Sequence, residues 1–312
     1  MLTQTLRLGT RGSNLALHQA EEVASRLTGT HRNLSVNISV IRTTGDKVLD
    51  VALSRIGDKG LFTREIEQAL LRGEIDLAVH SLKDLPSELP PGLVLAAVLP
   101  RANPADVLLS RSGKHLHELP AGAVIGSSSL RRIAQLKAYR PDLKVVDIRG
   151  NVETRIRKMG EQGLDAIVLA CAGLSRLGLE AAITQVLPPD IMLPAVGQGA
   201  IAVEIRENDN HTRELLQAIK SEETEAEVIA ERAFLRELEG GCQVPIACLG
   251  RVNGSQLLLQ GLVASLDGEQ VIRGQKTVGR ADAKIAGLEL AAQLKERGAR
   301  EILENIHLAG EK

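Results

Sequence analysis

Gly122-Ala123-Val124-Ile125-Gly126-Ser127-Ser128-Ser129-Leu130-Arg131-Arg132 decides the fold. An apolar strand over 122–126 ends in glycine, three serines turn the chain, and a helix over 128–138 opens on adjacent arginines. A strand feeding a helix through a short polar turn is the repeating unit of an α/β fold with largely parallel sheets. The same rhythm predicts strands at 5–9, 35–41, 75–80, 93–99, 105–109, 144–148, 164–170 and 200–205, and helices at 14–27, 61–72, 151–161 and 211–219. Proline-rich breaks at Leu99-Pro100-Arg101-Ala102-Asn103-Pro104 and from Leu187 to Gly199 predict a domain over 100–194, inserted into one built from 1–99 and 195–219. From Ser221 the pattern changes. A helix with an acidic first turn, strands near 246–251, 256–264 and 270–277, and a helix at 281–296 predict a small α+β domain over 220–312. Asn253-Gly254 and Asp267-Gly268 suit its hairpin turns.

The serine-arginine turn also reads as an anion site. One serine suffices to cap a helix, and cations are mildly unfavourable in a first turn unless an anion faces them. Arg149 follows the next strand, Arg155 lies one turn beyond Asn151, and Arg176 follows a further strand and the Ala172-Gly173-Leu174 turn. If these strands are parallel, Arg131, Arg132, Arg149, Arg155 and Arg176 converge on the carboxyl edge of one sheet, where such folds bind ligands. Guanidinium groups gathered there imply several carboxylates or phosphates on the ligand. Thr10-Arg11-Gly12-Ser13, ahead of the helix carrying Gln19, repeats the device, with plain helix capping as the alternative. No Walker lysine and no full G-x-G-x-x-G is present, which disfavours nucleotides.

Two further stretches carry reactive groups. In His80-Ser81-Leu82-Lys83-Asp84-Leu85-Pro86, Asp84 is the candidate for acid–base or electrostatic work; a turn carboxylate paired with Lys83 is the alternative. His80 reads either as a general base or as a strand-end packing residue. In Gly240-Gly241-Cys242-Gln243-Val244-Pro245 a thiol sits on a turn relaxed by glycine and fixed by proline, suited to covalent attachment. An inert half-buried cysteine is the alternative, and Cys171 and Cys248 fit that description better. Residues 42–60, with Arg55 and Lys59 four apart, read as a lid or as a surface connection. Phe62, just after them, either shields a planar ligand or packs on its helix.

Composition narrows the field. The 312 residues are 44% hydrophobic and 25% charged, with a net charge of -1, so no global field recruits nucleic acid or an anionic membrane. Two Phe, one Tyr and no Trp argue against base-stacking platforms and leave the cores to Leu, Ile, Val and Ala. The cysteine spacing resembles no zinc motif, so no metal is expected. The absence of a secretory segment, a membrane-spanning stretch and a disulfide framework leads us to expect a cytoplasmic protein.

Taken in order, Thr10-Arg11-Gly12-Ser13 with Leu15, Ala16 and Gln19, Lys59-Gly60-Leu61-Phe62-Thr63-Arg64-Glu65, His80 to Pro86, Gly126 to Arg132, Arg149-Gly150-Asn151-Val152 with Thr154 and Arg155, Gln198-Gly199, and Gly241 to Pro245 resemble the porphobilinogen deaminase (hydroxymethylbilane synthase) family across essentially the whole chain. The resemblance implies an α/β fold with two periplasmic-binding-protein-like lobes and a third, small α+β domain. It implies a dipyrromethane cofactor, made from substrate and held by Cys242 through a thioether. On that primer four porphobilinogen units are condensed with loss of four ammonia, and water frees hydroxymethylbilane for haem and other tetrapyrroles. Asp84 matches the family's catalytic carboxylate. Arg11, Ser13, Ser81, Lys83, Ser129, Arg131, Arg132, Arg149, Arg155 and Arg176 match ligand- and cofactor-binding positions, and Gln19 and Phe62 match cleft-lining ones. Arg55 and Lys59 fall in the lid, where some members carry lysine at the position of Arg55. A monomer is implied. Two rivals stay open: a non-catalytic binding protein for a polycarboxylate solute, and a cysteine-nucleophile hydrolase, for which no Cys-His arrangement is evident.

Overall fold

Along β1 (Gln4–Thr10) Leu6 and Leu8 are buried at alternate positions, and the helix Asn14–Thr30 that follows buries Gln19, Ala20, Val23 and Leu27 at helical spacing. This strand-to-helix step opens a computed structural model that describes residues 4–47, 60–238 and 244–310. Arg55, Lys59 and Cys242 lie outside the described residues.

Two five-stranded sheets share one plan. The first holds β1, β2 (Leu34–Val40), β3 (Leu77–Ser81), β4 (Leu93–Val98) and β10 (Ile201–Arg206), in the order β2-β1-β3-β10-β4. The second holds β5 (Asp106–Ser110), β6 (Val124–Gly126), β7 (Lys144–Val146), β8 (Ala166–Ala170) and β9 (Gln185–Val186), in the order β7-β6-β8-β5-β9. The expectation of largely parallel sheets needs correction, since β10 and β5 each run antiparallel to both neighbours while the remaining pairs are parallel. The reason is connectivity. β5 is the first strand after the chain leaves the first sheet, and β10 the first after it leaves the second. Neither is preceded by the crossover helix that a parallel neighbour needs.

β11 (Ile246–Asn253), β12 (Gln256–Ala264) and β13 (Val271–Gly279) form a three-stranded antiparallel sheet. Phe234 and Leu238 join Leu257, Leu259, Leu290 and Leu294 in its core, together with the helices Glu222–Glu237 and Ala283–Leu294. Three α-helices escaped the sequence reading, among them the single turn Thr44–Lys47. Cys171–Arg176 is six residues long and contains glycine, too short to show a period, and Arg300–Gly310 follows a kink at Gly298, where φ is +103°.

Among the described residues the chain gathers into two compact units, one from 4–47, 60–102 and 199–225, the other from 103–198 and 226–310. In the second unit Ala134 and Leu193 share a core cluster with Ala247, Leu249, Leu262 and Ala264, so the three-stranded sheet packs on the helix Leu130–Tyr139 and the segment at Leu193.

Gly287 lets the helix Ala283–Leu294 close on its neighbour, for a methyl there would strike the Ala230 carbonyl and Ala233. Gly160, near the end of the exposed helix Val152–Glu161, has open space at the same point. Gly287→Ala should cost about 1–3 kcal/mol of stability through overpacking, whereas Gly160→Ala should gain about 0.5 kcal/mol. Denaturant titration of the two variants reads these opposite signs.

Candidate active site

The carboxyl ends of β1 and β3, which are parallel, present one set of the expected residues. Ser13 caps the helix Asn14–Thr30, its hydroxyl accepting from the Ala16 amide at 3.3 Å, so capping is what this side chain does here. Arg11 turns elsewhere. Its guanidinium carbon lies 4.2 Å from the centroid of Phe62, a cation–π contact. Phe62 in turn covers Gly45, where a methyl would strike the ring. Buried Gln19 crosses from its helix to β3, its amide exchanging hydrogen bonds with the Ser81 hydroxyl at 2.9 and 3.0 Å.

Directly after Ser81 the chain makes a single 3-10 turn, Leu82–Asp84. Leu82 plugs it into the core, and the Leu82 amide donates to the Ala200 carbonyl at 3.0 Å. Lys83 and Asp84 are thereby held half-buried at the strand end. No described side chain hydrogen-bonds to the Asp84 carboxylate, which stands open to the N–H groups of a ligand. His80 is different: it is buried, with Nε2 3.2 Å from Glu204 Oε2, and offers no open base.

In the second unit β6, β7 and β8 are parallel, as convergence of the arginines requires. All three serines after β6 are spent on the backbone. The Ser127 hydroxyl accepts from the Ser129 amide at 3.3 Å, Ser128 donates to the Ile148 carbonyl at 2.7 Å, and Ser129 caps the helix Leu130–Tyr139. Asn151 caps the helix Val152–Glu161, and Arg155 Nε donates to the Gly150 carbonyl at 2.8 Å. Arg149, Arg155 and Arg176 are half-buried at the carboxyl ends of β7 and β8.

Arg131 and Arg132 differ from the expectation of an open anion site, because the anion facing them belongs to the chain. Fully buried Asp106, at the start of β5, accepts from Arg131 Nη1 at 2.7 Å and from Arg132 Nε and Nη2 at 3.0 and 2.7 Å. Arg132 Nη1 donates to the Val168 carbonyl, so all three of its nitrogens are engaged internally. Arg131 engages only Nη1, which also reaches the Leu193 carbonyl. Gln198 Nε2 completes the shell around Asp106 at 3.0 Å. Asp106 went unrecognised in the sequence, where its one signal is a lone acid opening an otherwise apolar strand.

These edges gain their meaning from comparison with known proteins. Residues 6–214 match the profile described as "Porphobilinogen deaminase, dipyromethane cofactor binding domain", and residues 225–296 match that of the C-terminal domain of the same enzyme. The porphobilinogen deaminase of Syntrophomonas wolfei is 59% identical over 96% of this chain and 98% of its own length. That of Pelotomaculum thermopropionicum is 56% identical over 97% of each.

The chain belongs to the porphobilinogen deaminase family.

It is an enzyme of tetrapyrrole biosynthesis. Both edges described above fall within the family's dipyrromethane-binding region, residues 6–214. Among solved structures the methionine-binding protein MetQ matches at a TM-score of 0.43 and 14% identity, over 71% of this chain and 92% of that one; the family assignment does not draw on it. Among the described residues no helix is long and apolar enough to cross a membrane, and no cluster of His, Cys, Asp or Glu is arranged to hold a metal.

Burial works to raise the Asp106 carboxyl, but Arg131, Arg132 and the Gln198 amide overturn it and hold the group well below the usual carboxylate range. A depressed folded value contributes stability at pH above the unfolded carboxylate range and loses it as pH falls through the folded value. Asp106→Asn, which strands two buried cations, should therefore lower stability by about 3–5 kcal/mol at neutral pH. The deficit should narrow as the wild type is acidified. Denaturant midpoints across a pH series read both effects.

Proposed function

We propose that this chain carries a dipyrromethane on Cys242 through a thioether and uses it to condense four porphobilinogen units, releasing four ammonia, after which water frees hydroxymethylbilane and leaves the dipyrromethane attached. The observation that carries the reading is Asp84, an open carboxylate on a rigid turn at the same sheet edge as Arg11 and beside Lys83. Cys171 and Cys248 sit buried in two core clusters, which favours Cys242, the third of the chain's three cysteines, for attachment.

The donors fit such a cofactor. A dipyrromethane with acetate and propionate arms needs several cations and N–H acceptors, and these edges hold both kinds of group. Arg11 is pre-oriented by Phe62, Arg149, Arg155 and Arg176 line the second lobe's edge, and Arg131 keeps Nε and Nη2 unspent among the described residues. Ser81 is held by Gln19, and Ser13 and Ser129 set the helix ends that face the same edges. Arg132, engaged throughout, contributes by fixing Asp106 and the turn that bears Arg131.

When bound, the dipyrromethane would supply the free pyrrole carbon to which the first unit is joined, and each added unit would offer its own to the next, the displaced pyrrole C–H proton leaving as each C–C bond forms. Lys83 and the arginines bind and orient the substrate's carboxylates. As the C–N bond of porphobilinogen breaks, its electron pair leaves on the ammonia nitrogen, and Asp84 stabilises the cation that remains on the substrate. Arg55 and Lys59 belong to the lid in this reading. Division into domains 1–99 with 195–219, 100–194 and 220–312 is part of the proposal, as are periplasmic-binding-protein-like lobes and a small α+β third domain. So are a cytoplasmic, monomeric protein and the absence of nucleic-acid or membrane partners.

Intact mass of the denatured protein tests attachment: wild type should exceed its sequence mass by one dipyrromethane, and Cys242→Ser should not. A wild type that gains no pyrrole adduct even after incubation with porphobilinogen would end the proposal. Asp84→Asn should fold normally and lower ammonia release by about 10²–10³-fold, the scale of losing one electrostatic stabiliser. A merely solute-binding protein would release no ammonia at all.

A further inference from the structure

Behind the strand that delivers Asp84 lies a group of buried ionisable side chains that the reaction as described does not use. His80 on β3 is 5% exposed, Glu204 on β10 is 0% and Glu67 on the helix Arg64–Leu71 is 6%. β3 and β10 are antiparallel, with His80 opposite Ala202 and Ala78 opposite Glu204, so His80 and Glu204 share one face of the sheet. Helix Arg64–Leu71 covers that face, where Ile66, Ala69 and Leu70 pack on Ala78 and Leu93.

The roof is thus apolar apart from these groups, and they are poorly satisfied. His80 Nε2 and Glu204 Oε2 are 3.2 Å apart, close enough to share charge but out of line for a hydrogen bond. Neither oxygen of Glu204 has a hydrogen-bond partner among the described residues, and Glu67 Oε1 has none. Buried Glu231 shows the contrast, its two oxygens each accepting a backbone amide, from Gly197 at 2.6 Å and Gly250 at 2.8 Å. Buried ionic groups are weak devices for stability alone, since apolar residues of similar volume do as well.

We propose that Glu67, His80 and Glu204 form a buried positioning unit that locks the helix Arg64–Leu71, with Phe62 at its entry, onto β3 and so fixes the turn that presents Asp84. Glu67 holds its own proton, and His80 and Glu204, 3.2 Å apart, compensate one another. The enclosed trio is then uncharged overall, the arrangement that costs least in a low-dielectric interior. The charged groups facing Glu67 are Glu204 on β10, His80 on β3 and Arg64 on its own helix, with the Thr63 hydroxyl beside it. Burial first, and then Glu204, push the Glu67 carboxyl upward against Thr63, His80 and Arg64. His80 directly precedes Ser81, the partner of Gln19, and stands four residues before Asp84, so a shift of β3 moves the acting carboxylate.

The inference rests on Asp84 as the acting group, and its test compares the two buried carboxylates in cofactor-loaded enzyme. Glu204→Gln and Glu67→Ala should each lower kcat about tenfold through misplacement, with KM within about twofold. Glu67→Gln, whose amide stands in for a protonated acid, should rescue most of the loss seen in Glu67→Ala. Because the neutral form of Glu67 is the held one, activity is lost as pH rises through its titration; Glu67→Gln should move the alkaline limb of kcat upward. A Glu67→Gln as impaired as Glu67→Ala, or a Glu204→Gln with wild-type kcat, overturns the proposal. Where a variant fails to accumulate, infrared spectra of wild type labelled with 13C-glutamate decide: a protonated carboxyl band is expected at neutral pH, and its absence refutes the unit. A wild type without ammonia release fails the deaminase reading instead.

Discussion

One buried carboxylate between two guanidinium groups sets the second lobe. Asp106 opens β5, Arg131 and Arg132 open the helix Leu130–Tyr139, and the same cluster reaches the Leu193 carbonyl and Gln198. Gln135 adds a two-way clamp on Leu193, donating to its carbonyl at 3.0 Å and accepting from its amide at 2.8 Å. Both the entry into the lobe and the exit from it are therefore tied to one helix end. An anion supplied by the fold also removes the penalty of two cations at a positive helix terminus. The turn that carries Arg131 and Arg132 can then be rigid before any ligand arrives.

The first lobe reaches a similar result with weaker parts. Gln19 and Ser81 form a neutral reciprocal pair, Leu82 plugs the turn, and Arg11 is steadied by an aromatic face. The opposite face of β3 carries His80 and Glu204 beneath an apolar helix. Among the described residues Asp84 is left open on this stretch, as the group proposed to meet a changing substrate has to be. Rigid support around one uncommitted carboxylate is the arrangement that differential binding of a developing cation requires.

Much of this was legible in the chain. The order of short motifs named the family, the apolar pattern gave twelve of the strands within a few residues, and the turn after 75–80 placed Asp84 at a strand end. The errors share a cause. Sheet direction was misjudged for β5 and β10 because local periodicity is the same in either sense, and the pairing partner is chosen by non-local connectivity. The helix Cys171–Arg176 was too short to declare a period.

Residue chemistry divides along the same line. The sequence by itself determined which groups are present and which follow a strand: Arg11, Ser81, Lys83, Asp84, Ser129, Arg131, Arg149 and Arg176 all stand at or just beyond strand ends. Only the tertiary structure decided which of them are spent internally. Arg131 and Arg132 look alike in sequence, yet one keeps two nitrogens unspent and the other keeps none, because Asp106 and the Val168 carbonyl lie where Arg132 points. Glu67, Glu204 and Asp106 read as ordinary acids in their segments and became buried charges only when distant strands closed over them. Burial and pairing depend on what the rest of the chain brings within a few ångströms, and no local pattern encodes that.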